Sequence, residues 1–175
     1  MKNRKATRSV RQRITVRPYV AHDLGFVRRL FAEYTETEKR RLRERGLVYA
    51  WSFEDRYLRS LPNRTRKGGL FLVATVDGVP AGCVAAIRKP RTQNWSWDAT
   101  RHPSGLVMEL HVATEFRGRG VGRRLMKAAE DHFRSSGSDW LSLGVFPTNE
   151  VARVAYRKMG YQDVYIFMGK TLRAE

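Results

Sequence analysis

A glycine- and arginine-rich bend has the composition of a phosphate-binding loop. Gly118, Gly120 and Gly122 stand between a predicted strand ending at Val112 and a predicted helix. Glycines let backbone N–H groups approach a ligand closely, and the first turn of a helix adds unpaired N–H donors and partial positive charge. Further charge comes from Arg117, Arg119, Arg123 and Arg124. The segment therefore predicts a cradle for a pyrophosphate group.

Two common nucleotide-binding motifs do not fit this bend. A P-loop requires Gly-Lys followed by Ser or Thr, and no such tripeptide follows Gly122. The dinucleotide fingerprint requires a glycine at the position of Arg123, and it normally follows the first strand rather than a later one. The bend belongs to another class of phosphate site.

The elements around the bend predict a mixed α/β domain with one central sheet. Alternating apolar residues indicate strands, and an apolar period of 3.6 residues indicates helices. The predicted strands are 14–20, 70–77, 81–88, 105–112 and 140–146, followed by a final strand or strand pair over 161–172. The predicted helices are one capped by Asp23 and closed by Gly46, one over 52–61 that stops before Pro62, 120–134, and 149–159. Strands 105–112 and 140–146 flank a helix, which predicts a parallel βαβ unit.

Length and composition restrict the class of protein. A length of 175 residues corresponds to one domain, and 42% hydrophobic residues exclude a wholly disordered chain. The single cysteine, Cys83, excludes a disulfide framework and reads as a small core residue. The longest apolar stretches, 70–76 and 79–87, are too short for a membrane span. We expect a soluble cytoplasmic protein without a metal or a membrane anchor.

Charge is the unusual feature of the composition. Lys and Arg number 34 against 17 Asp and Glu, a formal net charge of +17. Such a field favours polyanionic partners: nucleic acid, an anionic membrane surface or a multiply phosphorylated small molecule. Residues 1–13 contain six basic residues and no acid. They predict a flexible basic arm, capable of weak polyanion binding, ahead of a domain over 14–175.

Two motifs together resemble a known family. Arg117-x-x-Gly120-x-Gly122 is similar to the Arg/Gln-x-x-Gly-x-Gly/Ala signature of the GNAT superfamily of N-acetyltransferases, which binds the pyrophosphate of acetyl-CoA. Asn149-x-x-Ala152-x-x-x-Tyr156-x-Lys158-x-Gly160-Tyr161 resembles the family segment after its fifth strand. The order of elements agrees over 14–172. The resemblance implies a GNAT-like sheet splayed between strands 4 and 5, with about four or five flanking helices.

The resemblance also implies the acetyl-CoA site. Acetyl-CoA would be the co-substrate, and its pantetheine amides would pair with free backbone groups of the strand ending at Val112. Asn149 would cap its helix and contact pantetheine. The implied binding residues are Leu110, His111, Val112, Arg117, Gly118, Arg119, Gly120, Val121, Gly122, Arg123, Asn149, Ala152 and Tyr156. The alternative for Val112 is a plain core valine, and the two roles are compatible.

Three residues are candidates for the two proton-transfer roles of acyl transfer. By resemblance Tyr156 is the general acid that protonates the departing thiolate, with a buried core tyrosine as the alternative. An amine acceptor has a pKa of about 10.4, so a base must first remove its proton. Glu109 is the sole carboxylate between Asp98 and Glu115. Either Glu109 or His111 could act as this base, because residues two apart nominally lie on one face of a strand. The alternatives are that a bulge reverses which side chains face the cleft, or that these residues simply face solvent or the sheet.

The acceptor amine is left open by the sequence. Peptide N-termini, lysines, small amines and aminoglycoside-like antibiotics all fit, and Trp95 and Trp97 could line their pocket. Glu33, Glu36 and Glu38 could attract a cationic amine or simply balance the neighbouring basic residues. A rival hypothesis is a basic nucleic-acid- or ribosome-associated module that keeps a vestigial acetyl-CoA fold and uses Lys39–Arg45. A homodimer is also left open.

Overall fold

The computed structural model describes residues 12–44, 46, 55–89, 103–166 and 168, so most of the basic arm, Trp95 and Trp97 lie outside the described residues. Nine helices and strands follow one another in these ranges. They are β1 (Ile14–Pro18), α1 (Leu24–Arg43), α2 (Asp55–Thr65), β2 (Leu70–Val76), β3 (Val79–Lys89), β4 (Ser104–Val112), α3 (Val121–Ser135), β5 (Trp140–Leu143) and α4 (Glu150–Lys158). No helix in the described ranges is long and apolar enough to cross a membrane.

The five strands form one mixed sheet in the order β1-β2-β3-β4-β5. The first four are antiparallel, and β4 and β5 are parallel because α3 crosses between them. The turn between β2 and β3 has positive φ at Asp77 (50°) and Gly78 (87°), the backbone of a tight hairpin turn. The hairpin, the parallel βαβ unit and the α/β class predicted from the sequence are confirmed.

Helices cover both faces of this sheet. On one face Leu125, Met126 and Phe133 of α3 are fully buried against the sheet. On the other face α1 and α2 pack Phe31 and Leu61 against the sheet. This three-layer arrangement satisfies the alternating apolar residues of the strands. The Cys83 thiol is buried among α1 and α2 side chains, and burial raises its pKa, which confirms it as a core residue.

A β-bulge in β4 decides which of its side chains share a face. Ala85 of β3 pairs with Glu109, but the next residue, Ala86, pairs with Val107, so Met108 is an extra residue. The bulge reverses the alternation along β4. Val107 packs on the α3 face, whereas Glu109 and His111 lie on the α1 and α2 face.

One predicted helix cap and one predicted helix end are wrong, although α1 does begin directly after Asp23. Asp23 makes no capping hydrogen bond to α1; its carboxylate accepts from Arg17 and from the Val20 N–H instead. Helix α2 continues through Pro62 to Thr65. A proline costs a helix the hydrogen bond of its missing N–H, but Leu58 and Leu61 are buried, and this tertiary packing holds the helix together.

The prediction of a last strand over 161–172 is also wrong for its described part, because residues 161–166 have no strand pairing. Most of this segment is exposed, including Val164 and Ile166. Alternation of apolar residues predicts a strand only where a neighbouring strand supplies hydrogen bonds, and none of the described strands does so here.

We expect replacement of Asp23 by asparagine to destabilise the fold. The carboxylate is buried and accepts two hydrogen bonds from Arg17, both 2.7 Å, which lower its pKa. A carboxyl group whose pKa is lower in the folded state than in the unfolded state stabilises the fold at pH values above the unfolded pKa of about 3.9. This stabilisation is lost as pH falls through the pKa of the folded state. Urea unfolding at pH 7 should show a loss of about 1–3 kcal/mol, and this loss should shrink as pH falls below the unfolded pKa of about 3.9 and through the folded pKa.

The matched control for this stability test is Asp131→Asn. Asp131 is exposed on α3 and forms ion pairs with Lys127 and Arg134 of the same helix. Exposed ion pairs contribute little, so this variant should unfold at nearly the wild-type urea concentration. Equal losses in the two variants would contradict the role of the Arg17–Asp23 pair.

Candidate active site

The sheet opens where β4 continues beyond its parallel neighbour. The pairing of β4 with β5 ends at Val107 and Leu143, while β4 runs on to Val112. The Ala113 N–H donates to the Ala81 carbonyl at 2.9 Å, and bonding alternates along an antiparallel pair. The backbone groups of Leu110 and Val112 therefore point away from β3, into the space that β5 has left. The splay predicted between strands 4 and 5 is present.

The glycine-rich bend follows directly on this open strand edge. Gly118 (φ 73°) and Gly120 (φ 85°) adopt the left-handed conformation that other residues disfavour. A Cβ at either position would meet nothing within 4 Å, so the space in front of the bend is open. Gly120 is the N-cap of α3. The N–H groups of the next three residues, Val121 to Arg123, have no acceptor within the helix and face outward for an anion.

Four exposed arginines give this bend an uncompensated positive charge. The Arg117 Nε donates to the Val112 carbonyl at 3.1 Å, which ties the bend to the open end of β4. The Arg119 guanidinium lies over the Phe116 ring, 5.5 Å from its centroid. Across the described ranges, no carboxylate forms an ion pair with Arg117, Arg119, Arg123 or Arg124. The bend therefore offers oriented N–H donors and net positive charge together.

Helix α4 and its N-cap contribute three of the predicted site residues, Asn149, Ala152 and Tyr156. The Asn149 Oδ1 accepts from the Ala152 N–H at 3.3 Å, so the predicted N-cap is confirmed. Tyr156 packs against the core beneath α3 and meets the Tyr161 ring edge-on, with 6.0 Å between centroids. Burial raises the pKa of Tyr156 to about 12. Its hydroxyl makes no hydrogen bond within the described part of the chain, so it can donate one to a ligand.

The side chains of Glu109 and His111 are in contact on the face of β4 that α1 and α2 cover, opposite the face covered by α3. The His111 Nε2 lies 2.8 Å from Glu109 Oε2, and the two residues are only 7% and 6% exposed. The Tyr57 hydroxyl of α2 donates to Glu109 Oε1 at 2.5 Å. The rings of Phe31 and Tyr34 lie against the imidazole, with centroids 4.3 and 4.8 Å away. The predicted sharing of one strand face by Glu109 and His111 is confirmed.

Sequence reasoning missed Tyr57. Its spacing places it on the apolar face of α2 beside Leu58 and Leu61, where it reads as a core residue. A signal was available, since a buried tyrosine needs a hydrogen-bond partner for its hydroxyl. The sequence does not say that the partner is Glu109, because 52 residues separate the two.

The predicted acidic cluster is not a single site. Glu36 pairs with Lys39 at 2.9 Å, and buried Glu38 pairs with Arg41 at 2.6 Å. Glu33 accepts a hydrogen bond of 3.3 Å from Thr114. The charge-balancing interpretation of Glu36 and Glu38 therefore holds.

The Acetyltransferase (GNAT) family model matches residues 26–161 of this sequence. The chain therefore belongs to the GNAT acetyltransferase family, and the resemblance inferred from its motifs is confirmed.

Relatives share the same general description. The chain is 28% identical over 113 residues to an uncharacterized N-acetyltransferase of Methanocaldococcus jannaschii, an alignment covering 65% of this chain and 47% of that protein. It is 30% identical over 122 residues to the IAA acetyltransferase of Azospirillum brasilense, covering 69% and 72% of the two chains. This chain spans about half the length of several curated relatives that it matches.

A solved structure with the same fold contains CoA. The aminoglycoside N-acetyltransferase AAC(6')-Iy, in complex with CoA, superposes with a TM-score of 0.68. The alignment covers 97% of this chain and 99% of that one, at 16% sequence identity. This likeness confirms the predicted α/β fold of the chain.

Proposed function

We propose that the protein transfers the acetyl group of acetyl-CoA to a primary amine. The observation that carries this proposal is the open edge of β4, which leads directly into a bend with positive φ at Gly118 and Gly120. The open edge of β4 supplies backbone groups for the pantetheine amides, and the bend supplies N–H donors and arginines for the pyrophosphate. The CoA bound to the related aminoglycoside acetyltransferase supports the same ligand here.

In the proposed reaction the amine nitrogen attacks the thioester carbonyl directly. A base on the Glu109 side of β4 takes the proton of the amine, and a backbone N–H near Val112 stabilises the oxyanion. The C–S bond then breaks, the electron pair leaves on sulfur, and the amide forms. Tyr156 on α4 donates a hydrogen bond to the departing thiolate.

The pKa of Tyr156 favours hydrogen bonding over full proton transfer. Burial raises this pKa to about 12, whereas a thiol has a pKa of about 8.5. The gap of roughly 3.5 pKa units corresponds to about 5 kcal/mol against complete transfer. A phenol that keeps its proton remains a donor to the developing negative charge, so CoA leaves as a hydrogen-bonded thiolate.

A thiol-release assay against a broad panel of amines tests this function. Acetyl-CoA with the correct acceptor class should release free thiol well above the rate of hydrolysis, and mass spectrometry should find one acetyl group on the acceptor. The panel should contain peptide N-termini, lysine peptides, small amines and aminoglycosides. Tight acetyl-CoA binding without transfer to any amine would leave a binding protein and contradict the proposal.

A further inference from the structure

We infer that His111 is the group that accepts the amine proton, and that Tyr57 and Glu109 act as positioning residues for it. This inference rests on the proposed function and assigns its base. The three side chains form one chain of hydrogen bonds from α2 through β4, with the imidazole at its end.

Glu109 is already engaged within the protein. Its Oε1 accepts from the Tyr57 hydroxyl at 2.5 Å and its Oε2 accepts from His111 Nε2 at 2.8 Å. Only 6% of the residue is exposed. Both carboxylate oxygens are therefore occupied by donors from the protein, and little of the side chain is open to a substrate amine. Glu109 is therefore suited to hold an imidazole rather than to take a proton from the substrate.

The same contact fixes the tautomer of His111. A carboxylate can only accept, so Nε2 carries the hydrogen and the lone pair of the neutral ring lies on Nδ1. In the described ranges, Nδ1 makes no hydrogen bond. When Nδ1 takes a proton, the imidazolium lies 2.8 Å from the Glu109 carboxylate, which stabilises its charge. The proton then passes to solvent in the next step.

Tyr57 completes the arrangement from another element. Burial and the charge of Glu109 raise the pKa of its phenol, so it stays a donor throughout the working pH range. The Arg64 guanidinium lies over its ring, 5.4 Å from the centroid. Tyr57 thereby fixes Glu109 against rotation, and Glu109 in turn fixes the ring of His111.

The position of His111 suits this role. It lies between Leu110 and Val112, whose backbone groups face the opening, but its own backbone pairs with Cys83 of β3. The bulge turns its side chain to the α1 and α2 face, so the imidazole and the bend lie on opposite sides of β4. Among the residues that the structure describes, the titratable groups near it are Glu109, Tyr57, Tyr34 of α1 and Cys83. The amine would approach from this face.

The first test is the pH dependence of kcat/KM in three variants. His111→Gln should lower kcat by about 10²–10⁴ and remove the acidic limb of the pH profile. Glu109→Gln and Tyr57→Phe should each lower kcat, retain the limb and shift its midpoint. Acetyl-CoA affinity, measured by calorimetry, should be unchanged in all three. The acetyl-CoA contact that the resemblance implied for His111 does not fit the structure, because the backbone of His111 pairs with β3 and its side chain lies on the face opposite the bend. The control Tyr19→Phe, a ring stacked on Phe71 on the same face, should have wild-type kinetics.

A second measurement reads the arrangement without any acceptor. Long-range ¹H–¹⁵N spectra of the ¹⁵N-labelled protein should show His111 with its hydrogen on Nε2, and Glu109→Gln should alter its titration. A hydrogen on Nδ1 would overturn the inference. So would a His111→Gln enzyme that keeps the acidic limb while Glu109→Gln loses it, because Glu109 would then be the base. These spectra report on His111 even if the protein transfers no acetyl group. Failure of this inference can therefore be distinguished from failure of the proposed function.

Discussion

Gly120→Glu is expected to abolish measurable acetyl-CoA binding. The residue is the N-cap of α3 with φ 85°, and the space in front of it is open to a ligand. A glutamate there would put bulk and a negative charge where we propose that the diphosphate binds, and opposed like charges cost several kcal/mol. Isothermal titration should show a Kd at least ~100-fold higher, which corresponds to about 2.7 kcal/mol.

The control for this variant lies at the other end of the same helix. Gly137 has a similar φ of 75°, and a Cβ there would also meet nothing within 4 Å. Gly137→Glu therefore adds the same charge and comparable backbone strain, about 20 Å away along a helix of this length. It should bind acetyl-CoA like the wild type. Retained affinity in Gly120→Glu would refute the phosphate site, and equal losses in both variants would point to global unfolding.

Tyr156→Phe is expected to lower kcat by about 10²-fold or more, with acetyl-CoA affinity nearly unchanged. The change removes only the hydroxyl, whose hydrogen bond matters only once negative charge develops on sulfur. The ring still packs against the core, so stability should be preserved. Since burial raises the pKa of Tyr156 to about 12, the wild-type rate should not fall through its ionisation below about pH 10. Steady-state kinetics and calorimetry provide the two readouts.

Tyr161→Phe is the matched control for the tyrosine. The two rings are in contact, but the Tyr161 hydroxyl donates to Glu130 at 3.2 Å and so already has a partner in the protein. Its removal should leave kcat near the wild-type value. An unaltered turnover number in Tyr156→Phe would take Tyr156 out of the mechanism, and a larger loss in Tyr161→Phe would transfer the role to that residue.

The errors of sequence interpretation have a common physical origin. Asp23 has the right type and position for a helix cap, yet Arg17 is a stronger partner for its carboxylate. Pro62 has the chemistry of a helix breaker, yet the buried Leu58 and Leu61 that precede it, and the buried Thr65 that follows it, hold α2 against the sheet. In both cases a contact with another part of the fold outweighed a local preference of about 1–3 kcal/mol.

The amino-acid sequence by itself determined the glycine-rich bend, the cap of α4 and the order of the elements as far as α4. These depend on the backbone preferences of residues such as Gly120 and Asn149, which act within a few positions of the chain. The tertiary structure alone decided the residues at which β5 leaves β4, and that the bulge at Met108 turns Glu109 and His111 toward Tyr57. Such contacts depend on the register and packing of elements far apart in sequence, and no local spacing encodes them.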